Sequence, residues 1–163
     1  EYKTIISCGV FGVGTTREED LESLKRLKKH LISGGKYIFD FYLPDKSSKE
    51  WEGSEEHQPN LPSKWSKPDH RDLSDGTCLT LQTRILELNS IERYYIREIR
   101  IEHHKDKVLI GTEQRQIRLN IYVKNEVELM LQSVFTEVKI FAGLSDREPI
   151  PNKDYYLIVE ASL

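Results

Sequence analysis

Few side chains in this sequence combine reactive chemistry with a telling position, and they gather at the ends of two apolar runs. Asp40 and Tyr42 close the run Tyr37 to Leu43, where a carboxylate can take a proton and a phenol can donate a hydrogen bond. The plainer role for Asp40 is a carboxylate bonded to backbone at a strand end, because buried carboxylates are seldom left unpaired. The earlier run Ile5, Ile6 and Cys8 leads into Gly9, Gly12 and Gly14, which let backbone approach a ligand closely. Arg118 offers a guanidinium to an anionic group. The competing fate for Arg97, Arg100, Arg115 and Arg118 is cross-strand pairing with Glu98, Glu102 and Glu113. His103 and His104 are neighbours on one strand and so point to opposite faces. With Cys78 and His70 scattered around them they make no zinc set, and Glu55-Glu56-His57 reads as a solvated piece of loop.

Those residues need elements to position them. Thr16 and Glu19 fit a capping box, and Glu18, Glu19 and Asp20 suit the positive end of a helix. Leu21, Leu24, Leu27 and Leu31 line one face, Lys25, Arg26, Lys28 and Lys29 crowd the last turns, and Gly34 or Gly35 supplies a left-handed stop. Strand, capped helix and strand form a βαβ crossover, which implies a parallel sheet with ligands at the carboxyl ends of its strands. The loops after Ser7 and Phe41 therefore face the site. The almost unbroken apolar character of Tyr37 to Leu43 reads as a central strand buried on both faces.

From Pro44 to Gly76 the chain turns polar and rich in Lys, Glu, Ser, Pro and Asp, the signature of a long loop. Trp51 and Trp65 within it either pin the loop to the body or line a pocket, and pinning is the commoner fate of such rings. Thr77 to Leu88, Glu92 to His103 and Val108 to Tyr122 alternate as strands, with turns at Asn89-Ser90 and Lys105-Asp106-Lys107, and so predict an antiparallel meander. Asn125 and Glu128 suggest a second capping pattern for a short helix lined by Val127, Leu131 and Val134. Strands follow at Glu137 to Ala142 and Tyr155 to Ala161.

The bulk properties bound the function. The chain has 163 residues, 37% of them hydrophobic, and a net charge of −3, which suits a soluble domain with a sizeable core. The charge is too small and too mixed for nucleic acid as an obligatory partner. No apolar run approaches membrane-spanning length, so no membrane partner is expected. Cys8 and Cys78 could pair, but two thiols without a secretory leader or an Asn-x-Ser/Thr acceptor read as reduced, cytoplasmic residues. The chain begins at Glu1 and its one methionine is Met130, so further sequence is expected upstream of it.

The stretch EEDLESLKRLKKHLISGGKYIFDFY resembles the second half of a class I S-adenosylmethionine-dependent methyltransferase: a fourth strand, a helix ending in a Gly-Gly turn, then a fifth strand. The tail RLNIYVKNEVELMLQSVFTEVKIFAG, followed by YYLIVEASL, resembles that family's closing helix and final antiparallel strand pair. Val134 stands where the family usually has glycine. The resemblance implies an α/β fold, the carboxyl-terminal half of a Rossmann-like methyltransferase sheet with parallel strands plus a final antiparallel strand, and an inserted antiparallel β-meander. Residues 1–43 and 121–163 would form the partial core, and residues 44–120 an inserted polar loop and meander serving as lid, substrate or assembly region.

It further implies S-adenosyl-L-methionine as cofactor, touched by Cys8, Gly9, Val10 and Phe11, and a small-molecule substrate touched by Tyr42, Trp51 and Arg118. Asp40 and Tyr42 are the candidates if a base is used, and no metal is implied. The family's glycine loop and its ribose-holding acidic residue have no counterpart here. The main reading is a methyltransferase represented without its principal cofactor-binding motif. The alternatives are a non-catalytic fragment or assembly module of the same fold and, more remotely, an unrelated α+β ligand-binding domain. An upstream segment would complete the sheet beside Ile5 and Ile6, or else the exposed edge recruits a second copy.

Overall fold

The computed structural model describes residues 1–43 and 60–163; Trp51 and Glu55-Glu56-His57 lie outside the described residues. The described residues form two compact units, 1–43 with 120–163 and 60–119.

The first unit opens with the crossover. Strand β1 (Tyr2–Ser7) pairs in parallel with β2 (Leu31–Tyr42) through helix α1 (Arg17–Lys28), in the register Ile5↔Tyr37, Ile6↔Ile38 and Ser7↔Phe39. The capping box is present: Thr16 Oγ1 accepts from the Glu19 N–H at 3.3 Å, and Glu19 Oε2 accepts from the Thr16 N–H at 2.7 Å. Such a cap contributes about 1 kcal/mol.

The helix ends earlier than the glycine pair suggests. Lys29 keeps right-handed helical angles, and the N–H groups of Lys29 and His30 close a tight last turn on the carbonyls of Arg26 and Leu27 at 3.0 and 2.9 Å. The His30 carbonyl then accepts from the Tyr2 N–H at 2.7 Å, which pulls the chain into the sheet. Leu31 is consequently the first residue of β2 instead of part of the helix stripe, and Gly34 and Gly35 lie inside that strand.

The sheet order is β1-β2-β8-β7, completed by β7 (Glu137–Ala142) and β8 (Tyr156–Ser162), both antiparallel to their neighbours. Tyr37, Phe39 and Phe41 of β2 and Leu157, Val159 and Ala161 of β8 share one face. There they bury Leu24 of α1 and Val127 and Leu131 of α2 (Lys124–Gln132) in one core. Each large aliphatic in it contributes roughly 1.5–3 kcal/mol by leaving water.

The opposite face is not covered to the same degree. On that side Ile6 and Tyr42 are exposed, Ile38 is half-buried and Asp40 is buried, so β2 is buried unevenly on its two faces. Its continuous apolar run hid that difference. Helix α2 also departs from expectation: its N-cap is Val123, whose side chain makes no capping bond, and Glu128 pairs with Lys124 at 2.9 Å. Its start is fixed from α1, whose Arg17 Nε meets Glu126 Oε1 at 2.5 Å. Val134 is buried, and its carbonyl accepts from Lys28 Nζ at 2.7 Å.

The second unit is a sheet of order β3-β4-β5-β6, with β3 (Asp69–Asp72), β4 (Thr77–Asn89), β5 (Tyr94–Lys105) and β6 (Val108–Asn120). The meander is as expected, its strands a residue or two longer or shifted. The β5–β6 turn places Asp106 and Lys107 at φ 50° and 65°, the left-handed pair of a tight hairpin. Strand β3 has the sequence Asp-His-Arg-Asp and carries no apolar pattern to read; charged side chains suit an edge. The guanidinium groups of Arg84 and Arg100 lie over the Trp65 ring, 4.5 and 4.4 Å from its centroid. The ring is thus pinned, and what pins it is cation–π contact with the meander. The arginines pair less across strands than alternation suggests. Arg84 meets Glu98 across the ladder at 2.6 Å, whereas Arg100–Glu102 and Arg115–Glu113 are same-strand neighbours.

Candidate functional site

Parallel pairing brings the carboxyl ends of β1 and β2 side by side. The Gly9 N–H donates to Asp40 Oδ1 at 2.6 Å, so the nearly buried Asp40 is, first, an acceptor that fixes the start of the loop after β1. The plainer expectation for this residue is met. Its charge also reaches Tyr156, whose phenol is raised above the usual tyrosine range by burial first and by Asp40 next. Antiparallel pairing sets Tyr42 opposite Tyr156, with ring centroids 4.9 Å apart. Tyr42 is 68% exposed, so this edge of the cluster is open to solvent. Tyr156 is the residue that sequence reasoning missed. The signal available was the doublet Tyr155-Tyr156 at the head of the last strand, but only the β2–β8 register decides which ring faces Asp40.

The loop itself divides in two. Cys8, Gly9 and Val10 are exposed, and at Gly9, with φ +63°, a Cβ would meet nothing within 4 Å among the described residues. Within this stretch the Gly9 N–H is taken by Asp40 and the Val10 carbonyl accepts from the Val13 N–H at 3.2 Å. Phe11 turns inward instead: its ring packs at 4.6 Å from Phe39 and 4.9 Å from Tyr122, so the loop's fourth candidate faces the core with its side chain. Beyond it, the Gly12 carbonyl accepts from the Asn120 N–H at 2.8 Å. Gly12 has no room for a side chain, since a Cβ would sit 2.9 Å from Tyr122 Cε2.

Asp20, buried on the first turn of α1, accepts from Thr15 Oγ1 at 2.6 Å, Asn120 Nδ2 at 2.9 Å and the Tyr122 hydroxyl at 2.6 Å. The Tyr122 phenol is pushed well above its usual range by burial and by this carboxylate. Under the loop, Ser7 Oγ and the Tyr37 hydroxyl lie 2.7 Å apart, and burial raises the Tyr37 phenol.

The Arg118 guanidinium lies over the Tyr94 ring at 3.6 Å within the second unit, and Trp51 is outside the described residues. Among the described residues no group of three or more His, Cys, Asp or Glu is placed to hold a metal ion. No helix among them is long and apolar enough to cross a membrane.

No protein-family profile matches the chain, and no curated protein matches its sequence. Solved structures do. An S-adenosylmethionine-dependent methyltransferase from Clostridium acetobutylicum matches 100% of this chain at TM-score 0.62 and 12% identity. DesVI of Streptomyces venezuelae matches 100% at TM-score 0.61 and 13% identity. S-adenosylmethionine-bound CalS10, an amino pentose methyltransferase from Micromonospora echinaspora, matches 98% at TM-score 0.58 and 12% identity. This chain spans 58%, 59% and 58% of their respective lengths. The fold is therefore the α/β fold of class I S-adenosylmethionine-dependent methyltransferases.

Proposed function

We propose that this chain is part of an S-adenosylmethionine-dependent methyltransferase that acts on a small molecule. The observation that carries the reading is the sheet order β1-β2-β8-β7, with both helices on one face and a meander between β2 and α2, matched end to end by methyltransferase structures. Exposed Cys8, Gly9 and Val10, with no described atom within 4 Å of a Cβ at Gly9, fit a donor that approaches the chain closely; Phe11 serves this site through its backbone alone. When bound, S-adenosylmethionine supplies an electrophilic methyl group for direct displacement from sulfonium. The chain's own residues orient and exclude water. Asp40 holds the loop through the Gly9 N–H, Tyr42 and Tyr156 form an aromatic edge for the acceptor, and Asp40 is the group available to take a proton. We assign acceptor contacts to Arg118, as anion clamp, and to Trp51. A reducing, cytoplasmic compartment suits Cys8 and Cys78, both free thiols.

The sheet supports a further part of the reading. Strand β1 has β2 as its one neighbour among the described residues, and Tyr2 and Ile6 are exposed on it. Such an edge calls for another strand, and we assign it to a segment outside this chain that carries the main cofactor-binding motif. The same edge favours the second reading, a non-catalytic assembly module whose partner is another copy. Calorimetric titration with S-adenosylmethionine separates them. The 163-residue chain alone should bind weakly and the natural protein extended upstream of Glu1 should bind in the micromolar range. Tight binding by the chain alone refutes the missing-motif reading, and no heat from the extended protein favours the assembly module.

A further inference from the structure

We propose that Asp20 is a positioning residue, a latch that sets the geometry of the donor-facing loop Cys8–Phe11 by tying its far end to Asn120 and Tyr122. The functional meaning of the latch rests on the methyl-transfer reading; its mechanics do not.

Between Ser7 and Arg17 the chain makes no helix and contributes one residue, Val13, to an isolated bridge, so something else must hold it. Its near end is held by Asp40 through the Gly9 N–H. Its far end is held by the last residue of β6 and the segment after it. There the Asn120 backbone N–H donates to Gly12 O at 2.8 Å, and Asn120 Nδ2 donates both to Thr15 O at 3.0 Å and to Asp20 Oδ2 at 2.9 Å. The Tyr122 hydroxyl adds a bond to the same Asp20 oxygen at 2.6 Å, while Thr15 Oγ1 takes the other at 2.6 Å. Arg17 closes the circle by donating to Ile121 O at 2.9 Å and lying over the Tyr122 ring.

A carboxylate that is 6% exposed is costly unless its lone pairs are filled, and here three donors fill them. None of these bonds is needed to start α1, because Thr16 and Glu19 already complete its cap. What the buried carboxylate adds is a fixed distance between the helix start and residues 120–122. The Phe11 ring is thereby trapped between Phe39 and Tyr122, at 4.6 and 4.9 Å. Phe11 is the last residue of the loop assigned to the donor, so the position of Tyr122 is transmitted directly to Gly9 and Val10.

The test uses the natural protein containing this chain and two variants. Asp20→Asn keeps the shape but presents an amide N–H₂ to donors, and Tyr122→Phe keeps the ring while removing one donor. Amide hydrogen exchange at Gly9 to Thr15 should speed by about tenfold in Asp20→Asn, with Phe39 and Val159 unchanged. Affinity for S-adenosylhomocysteine, measured by titration calorimetry, should fall by about tenfold. Tyr122→Phe should move both in the same direction by less, and it keeps the test alive should Asp20→Asn fail to fold. Unchanged exchange in the loop overturns the latch, as does equal acceleration at Phe39 and Val159, which marks a merely structural carboxylate. Faster loop exchange with unchanged donor affinity overturns its positioning role. Absence of any donor binding by the wild-type protein overturns the methyl-transfer reading instead, while the exchange measurements still decide the mechanics.

Discussion

Gly12→Ala offers the sharpest test of the loop's packing, because its cost separates into two parts that a neighbouring glycine isolates. The first is conformational: at φ +74° an alanine costs roughly 1–2 kcal/mol in the left-handed region. Gly9, at φ +63° with nothing among the described residues within 4 Å of a Cβ, carries that cost alone. The second is steric. A Cβ on Gly12 would lie 2.9 and 3.2 Å from Tyr122 Cε2 and Cδ2 and 3.3 Å from Asn120 Cβ. A ring edge usually gives way, but this ring is 3% exposed and its hydroxyl is held by Asp20 at 2.6 Å. Overpacking of this kind costs about 1–3 kcal/mol. Gly12→Ala should therefore destabilise by about 2–5 kcal/mol and Gly9→Ala by about 1–2 kcal/mol, read from urea unfolding midpoints at constant slope. Tyr122→Leu removes the obstructing ring edge, so the penalty of Gly12→Ala in that background should shrink toward that of Gly9→Ala, giving a coupling of about 1 kcal/mol or more. Equal costs at the two glycines, or additive double mutants, would refute the claim that Tyr122 fills the space beside Gly12.

Leu131→Ala should cost about 2–5 kcal/mol, because Leu131 is fully buried between α2 and the sheet. Leu129→Ala on the exposed side of the same helix should stay within about 0.5 kcal/mol by thermal unfolding. Arg84→Ala should destabilise the meander by about 1–3 kcal/mol, since it leaves the buried Glu98 without its 2.6 Å partner and strips one cation from Trp65. Adding Glu98→Gln should recover part of that loss, and Trp65 fluorescence reports the site. Asp154 accepts from Arg147 Nη1 and Nη2 at 2.6 and 2.7 Å and from the Ile150 N–H at 2.8 Å. Those bonds hold its carboxyl well below the usual range. A depressed folded-state pKa stabilises above the unfolded value and is lost as pH falls through the folded one. The melting-temperature gap between wild type and Asp154→Asn should thus be full near neutral pH and narrow steadily under acid; a gap independent of pH would exclude the ion pair as its source.

The elements of this protein were legible because local rules wrote them. Thr16 and Glu19 announce α1, alternation announces the meander, and the apolar runs at Ile5 and Tyr37 announce a parallel pair. Where local rules were weak or double, reading failed. The glycine pair Gly34-Gly35 has the form of a helix stop, yet the helix closes a turn earlier, because a strand bond from Tyr2 to His30 competes for the chain. Asn125 and Glu128 have the spacing of a cap, yet Arg17, more than a hundred residues away in sequence, fixes the start of α2 through Glu126. Charged β3 has no hydrophobic period at all.

The candidate site follows the same division. Sequence determined which loop follows β1, that glycines punctuate it, and that Asp40 and Tyr42 share a face of β2, since all three follow from chain order and a two-residue period. Tertiary structure decided that Asp40 spends an oxygen on Gly9, that Tyr156 faces Tyr42, that Phe11 turns inward, and that Asp20 gathers Thr15, Asn120 and Tyr122. Each of those depends on register between segments separated by thirty to more than a hundred residues, set by how the whole sheet packs and not by any residue's own preference.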